Sequence, residues 1–584
     1  MTDRVTNTDG DTDVAGNFTP SGVPGPTDKV TINHKMVIPS GVTLNTEVVM
    51  QGTSSSDRGE LKIQNNAVMK CSAKMTLNQW NHLEMDQGST LDGNGFDVEF
   101  TSNTATHNKI TIIGNPYNRA IIKGSGDFKY SGSGAGVRGI IYIENLDVID
   151  YGKFQVGNNF WPNDSFTIKN VLFLRCDTPQ LGGWQDLSNI FVVDGIHVRD
   201  DQASIDAGDG VRYAIRIQRF ETGTDPDIAL IDRITVDGGL STRYHFEITG
   251  PAHRTRCVIN KKLQTSVNGR GSHMKDSFIV LRDADGAGFE EGGLDQITDN
   301  YILGRGDNSH VNGSGASDII EGGIIELTYE LGKTDLADSF IVSKTRNQGI
   351  NNTLIIDCGG AVLNALGTPD AAADYHMTNC NVIGEMGPSY GIIREENSGS
   401  YVGGDVDVSN NLFYNSGPST NVWGFNIETG VNDAIDTIVN NGWYGFDDIY
   451  RGVNSATKTV GVSAEYGDTD IIGVDPELYD YPNANFLGWI VSKGGLTIDD
   501  GVQLLLDACG YDPVEETLDP DLVTSNYPQQ VIEWVRYRAS PTNDAYSAIG
   551  SIPVVAPMSS GFGATFSPTF SPTFSPTGKV FPSG

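Results

Sequence analysis

The sequence predicts an all-β chain wound as a right-handed parallel β-helix, with an N-terminal β cap, short C-terminal helices and an extended Pro-rich tail. Three observations carry that expectation. Turn formers are abundant, with 70 Gly among 584 residues and Asn, Asp, Ser and Thr crowded between short apolar runs. The stretch Asn163–Cys176 joins an alternating segment (Phe166, Ile168), a polar Asn170 and a continuous apolar run, Val171–Leu174. Alternation buries one face of a strand and a continuous run buries both, so the Asn between them marks a corner. The same shape returns from Leu187, Ile228, Ile297, Gly349, Tyr375 and Asp407, at roughly the twenty-to-thirty-residue interval of a solenoid.

Residues 1–26 read as a flexible or docking arm, because Gly16–Asp28 holds three Pro and three Gly. Residues 27–108 read as a β cap. Val30, Ile32, Val37 and Ile38 supply strands, Pro39-Ser40-Gly41 a turn, and Val42–Met50 a further alternating strand. The phrases Val23-Pro24, Asp28–Ile32, Val37–Thr43 and Gly59–Leu61 resemble the eight-glycine β-strand domain that heads many secreted and viral β-helix proteins, with the match weakening after Ala73. A cap is also physically required, since an open solenoid end exposes unpaired strand edges.

The solenoid proper is expected over residues 109–473. Arg282–Gly293, Gly304–Ser317 and Asn397–Gly404 read as insertions, which in solenoids gather on one face and make it a contact surface. Residues 474–557 read as a C-terminal closure with two short helices. One starts at Thr497–Asp500 and runs through Val502, Leu504, Leu505, Leu506 and Ala508 to a stop at Gly510; the other follows Pro528. Together they would plug the end of the stack. Residues 558–584 carry Phe-Ser-Pro-Thr three times, from Phe566, Phe570 and Phe574. Pro in every unit forbids a helix and favours an extended arm, whose three Phe would anchor it on a partner subunit.

Charge narrows the function. With 74 acidic against 39 basic residues the net charge is −35, which excludes the basic stripe that nucleic acid requires and disfavours an anionic membrane. An acidic, Gly-rich surface suits solubility and divalent cations. The six Cys stand alone, without a CxxC, and those beside apolar strands read as small core residues folded in a reducing compartment. The segment from Met1 to Val14 lacks an apolar signal core, and no run approaches the ~20 apolar residues of a membrane span. Folding in a host cytoplasm follows, with release inside a virus particle as one route out.

The chemistry-bearing constellations are sparse. Of the motifs that assemble in polygalacturonases only fragments occur: Asn7-Thr8-Asp9, Asp200-Asp201, Asp447-Asp448 and Arg216-Ile217-Gln218, with no Gly-His-Gly. Glu290, Glu291, Glu321 and Glu326 are the candidate catalytic carboxylates, since a pair about 5 or 9 Å apart cleaves glycosidic bonds with retention or inversion. Against this, an acid-rich chain forms such clusters on any solvated face. Asp283 and Asp285 are candidate ligands of a structural calcium ion; no other cofactor is indicated. The nine His form no HxH or HExxH set, and the GxSxG match at Gly387–Gly391 has no His after it to complete a triad. Trp161, Trp184, Trp423, Trp443 and Tyr444 sit in or beside turns rich in Asp and Asn, as sugar-binding aromatics do; packing under loops or between chains would use the same residues.

The sequence of parts — polar arm, capped solenoid, helical closure, repetitive arm — resembles the tailspike and fibre class of virion proteins of tailed bacteriophages. That resemblance implies a homotrimer, attachment to other virion proteins through one arm, and host-surface polysaccharide as the partner. A structural spike for glycan attachment is the first expectation, a polysaccharide depolymerase of the same build the second, and a bacterial surface carbohydrate-binding protein the third.

Overall fold

The computed structural model describes nearly all of residues 2–183, then strands and corners with gaps between them up to residue 478, and short pieces at 511–512, 517–518, 539–546 and 549. The described residues are strands, corners and turns, with two single 3-10 turns at Ala15–Asn17 and Asp544–Tyr546. The chain divides into two compact units, Met1–Ala252 with Pro513–Thr524, and His253–Asp512 with Ser525–Gly584. Each is a parallel β-solenoid.

In the first unit the early coils lay down three strands, each in register on its equivalent one coil earlier, and from Arg138–Ile149 onward the first two run on as one bent strand. Asn81–Met85, Thr90–Asp92 and Val98–Ser102 are followed by His107–Ile113, Ala120–Lys123 and Phe128–Gly132, paired parallel strand on strand. The result is three stacks. Because side chains alternate across a strand, each stack sends alternate rows inward. Leu83, Ile110, Ile141, Phe166 and Phe191 form one such row, and all are buried. Phe100, Phe128, Phe154 and Phe173 meet in the interior, with Phe128 and Phe154 stacked at 4.9 Å. Each fully buried side chain of this kind is worth about 1.5–3 kcal/mol over exposure.

The corner expected at Asn170 is present. Ser165–Leu174 is one strand bent at Asn170, which adopts φ 52°, and Phe166, Ile168 and Val171–Leu174 are all buried. Asn145, Gly195 and Arg233 hold the same left-handed position in neighbouring coils. Asn takes this conformation more readily than other side chains.

Two expectations need correction at the N-terminal end. Residues 2–26 are not a flexible arm but the leading part of the stack. Asp3–Thr6 pairs parallel with Lys29–Ile32 and antiparallel with Phe18–Thr19, while Gly10–Asp11 pairs with Lys35–Ile38. The Arg4 guanidinium donates to Asp28 at 2.8 Å, and Phe18 is buried. Nor does 108 divide a cap from the solenoid, since Asn81–Met85 and His107–Ile113 are successive strands of one stack.

The second unit repeats the plan. Asp318–Glu321, Gln348–Asn351, Tyr375–Thr378, Val406–Ser409 and Thr437–Val439 form a first stack. Ile324–Leu327, Leu354–Ile356, Asn381–Gly384, Leu412–Asn415, Gly442–Tyr444 and Ile471–Ile472 form a second. Third-stack strands include Gly288–Glu291 and His310–Gly313, which pair in register, and Gly391–Glu396, Trp423–Ile427 and Asp448–Arg451. Arg282–Gly293 and Gly304–Ser317 are therefore not pure insertions: each carries a structural strand. Asn397–Gly404 lies outside the described residues.

The described part of the C-terminal closure packs against the side of the second stack. Leu478 bridges to Pro541, and Tyr546 and Ile549 cover Leu412, with Ile471 and Leu478 beside them. The two expected helices and the Phe566, Phe570 and Phe574 arm lie outside the described residues.

Candidate functional site

The second unit turns the corner between its first and second stacks on two residues. The first is a left-handed Asn: Asn352, Asn379, Asn410 and Asn440 have φ between 52° and 57°. The second points inward. Thr353, Cys380, Asn411 and Asn441 are buried, and Asp470 follows them in the next coil.

These inward residues form a ladder. The amide of Asn411 donates to the Met377 carbonyl at 2.8 Å, and that of Asn441 to the Val408 carbonyl at 3.0 Å. Their side-chain oxygens accept backbone N–H groups from the coil before, Cys380 N to Asn411 Oδ1 at 2.8 Å and Asn411 N to Asn441 Oδ1 at 3.0 Å. Thr353 and Cys380 continue the pattern with bonds to the Gly322 and Ile350 carbonyls. Burial pushes the Cys380 thiol up to about 12, so it stays a neutral donor. The Asp470 carboxylate ends the ladder, taking Asn441 N at 2.7 Å on one oxygen and the Trp443 indole N–H at 2.8 Å on the other. A buried corner needs such bonds, because each orphaned backbone group costs about 1–3 kcal/mol.

The ladder fixes the register of the aromatic residues beside it. Trp443 is 1 % exposed and points inward, stacked on Phe413 at 4.0 Å and tilted against Phe425 at 5.7 Å. It also packs on Gly424, where a Cβ would come within 2.8 Å of the indole. Its expected role on an exposed sugar-binding face is thus corrected: Trp443 is core. Its neighbour Tyr444 points the other way. Tyr444 and Tyr414 are half-buried on the outer wall, stacked at 5.3 Å with rings 10° from parallel. Burial, then the nearby Asp475 carboxylate and Tyr444, raise the Tyr414 hydroxyl above its usual range. Trp423 is half-buried and pairs in register with Gly391 and Asp448. Trp161 and Trp184 lie outside the described residues.

The candidate carboxylates are spread over three stacks. Glu290 and Glu291 lie in a third-stack strand, Glu290 in register with Gln264 and Asn312. Glu321 lies in the first stack, beside Thr298 and Asn351, and Glu326 in the second, beside Leu303 and Ile356. Glu321 and Glu326 flank one corner at Gly322-Gly323, whereas a full coil, from Gln296–Thr298 to His310–Gly313, intervenes before Glu290 and Glu291. One coil thus separates Glu290 and Glu291 from Glu321 and Glu326. Asp283 and Asp285 lie outside the described residues. Among the described residues no three His, Cys, Asp or Glu side chains group as metal ligands would, and no helix is long and apolar enough to cross a membrane.

Sequence reasoning missed the ladder, although its signal was present: Asn352, Asn379, Asn410 and Asn440 recur near the coil period. Comparison with known proteins returned no matching family, no similar characterised protein and no similar solved structure.

Proposed function

We propose that the protein is a β-helical spike or fibre of a bacteriophage virion that attaches to host-surface glycan through its side wall. The observation that carries the glycan reading is the outward Tyr414–Tyr444 pair, held in register by the inward asparagine ladder. Stacked aromatics on a wall preorganised by buried hydrogen bonds suit sugar rings, which bind weakly to mobile sites and better to rigid ones. The virion assignment rests on the resemblance of the plan, and a right-handed coil, a homotrimer and attachment through a terminal segment belong to that reading. A depolymerase of the same build is the second reading, with Glu321 and Glu326, which flank one corner, as its carboxylates.

Immunogold labelling of phage particles with an antibody to this chain, together with crosslinking of the pure protein, tests the proposal. Label on particles and a trimer band are expected. Unlabelled particles, or a monomer under all crosslinking conditions, would overturn it.

A further inference from the structure

The row that carries Ile356, Ile383, Tyr414 and Tyr444 is buried at the two Ile, half-buried at the two Tyr, and ends on an exposed Gly. Trp443 is in register with Ile472, so the next position after Tyr444 is Gly473. Gly473 has no side chain, and a Cβ built there would meet nothing within 4 Å. One face of the Tyr444 ring lies on Tyr414, while toward Gly473 no residue of its own row covers it among the described residues. Val474, 41 % exposed, and the exposed Asp475 follow at once. Asp475 is held in a tight turn, its carboxylate accepting the Glu477 N–H at 2.9 Å.

The sequence flanking this ring is acidic. Between Arg394 and Arg451 the sequence contains nine Asp or Glu and no Lys or Arg. Asp470, Asp475 and Glu477 come next in the described chain, and Asp475 is the charge closest in sequence to Gly473 on its exposed side. An aromatic face flanked by carboxylates takes the C–H face of a pyranose and hydrogen-bonds its hydroxyl or ammonium groups, and it repels carboxylated, sulfated or phosphorylated sugars.

We propose that the face of Tyr444 turned toward Gly473, with the exposed Asp475 two residues beyond that glycine, stacks a neutral or amino-bearing sugar ring, and that this wall rejects acidic polysaccharides. The inference rests on the glycan-attachment reading and specifies its ligand class. It assigns the platform to Tyr444 and not to Trp443, whose indole is enclosed.

Calorimetric titration of the full chain with oligomers of dextran, galactan, chitosan, alginate and polysialic acid tests it, at low and at high salt. Binding to a neutral or a glucosamine oligomer is expected, with alginate and polysialic acid weakest at low salt. Tyr444→Ala should weaken binding about tenfold, the scale of one lost stacking contact, and Tyr444→Phe should hold it within about twofold. Asp475→Asn should narrow the gap between neutral and acidic oligomers; because its amide oxygen still accepts the Glu477 N–H, it remains informative even where Tyr444→Ala fails to fold. Tight binding of an acidic oligomer at low salt, or unchanged affinity in Tyr444→Ala, would overturn the inference while leaving glycan attachment standing. Failure to bind any oligomer or intact host envelope would remove the attachment reading itself.

Discussion

The early coils of the first unit and the coils of the second turn the same corner by different means. In the first unit the early coils use turns of several residues, Pro39–Val42, Gln64–Ala67 and Asp86–Ser89, each closed by its own backbone bond of 2.9–3.2 Å. In the second unit the corner shrinks to a left-handed Asn and one inward residue, and the backbone around it is satisfied by side-chain amides from adjacent coils. A long corner lies near solvent and satisfies itself. A short one buries its N–H and C=O groups and makes each coil depend on the next. The outer walls differ correspondingly. Around the early coils the outward residues are alternating charges, such as Lys62 bonded to Glu84 at 2.5 Å and Asp86 at 3.2 Å. In the second unit the outward row is apolar and aromatic, and part of it lies under Tyr546 and Ile549.

The largest effect should come from the middle of the ladder. Asn411→Leu leaves the Cys380 N–H and the Met377 carbonyl without partners and should cost about 3 kcal/mol in urea unfolding. Asn65→Ala, in an exposed long corner, should stay within about 0.5 kcal/mol. Equal costs would break the comparison. Next is Gly442→Ala, whose Cβ would fall 2.3 Å from Tyr546 Cε1. It should cost about 2 kcal/mol and speed hydrogen exchange at Ala539–Tyr546, as overpacking lifts that segment from the wall. Unchanged exchange there would mean that the covering is not held by this contact. A smaller loss, about 1–2 kcal/mol, is expected for Asn410→Val, which forces a branched side chain into φ 57°, and Asn410→Gly should be nearly neutral.

A further effect is a pH dependence on the charged wall. His82 is buried beside Thr111, and burial, with Lys109 adding to it, lowers its pKa from 6.5 to about 4. The unfolded chain therefore binds the extra proton first. Stability contributed by neutral His82 is complete above pH ~6.5, falls as the pH drops toward ~4, and changes no further below that. Stability curves of wild type and His82→Gln should converge across this window, and parallel curves would show that the ring does not titrate on unfolding.

Much of the solenoid was legible because its signal is local. Phe166, Ile168 and Val171–Leu174 show their burial as alternation and as a continuous run, and a polar Asn170 in between can only be a corner. Cys176 and Cys380 read correctly as small core residues, at 3 % and 0 % exposure. What failed to show is whatever depends on register between coils. Residues 2–26 carry strands of two to four residues held by Arg4 to Asp28, too short for periodicity to reveal among their Pro and Gly. Trp443 and Tyr444 are neighbours with the same turn-rich surroundings; only pairing with Phe413 and Tyr414 decides that one is core and the other wall. That Glu290 and Glu321 lie in different stacks, one coil apart, follows from strand order alone.

The account stands most directly on one assay: host-envelope polysaccharide incubated with the full chain, with bound protein and new chain ends both counted. Wild type should be retained on the polysaccharide and Tyr444→Ala should wash off, with polymer length unchanged in both. A shortened polymer whose cleavage is lost in Glu321→Gln or Glu326→Gln would contradict it and make the wall part of an enzyme.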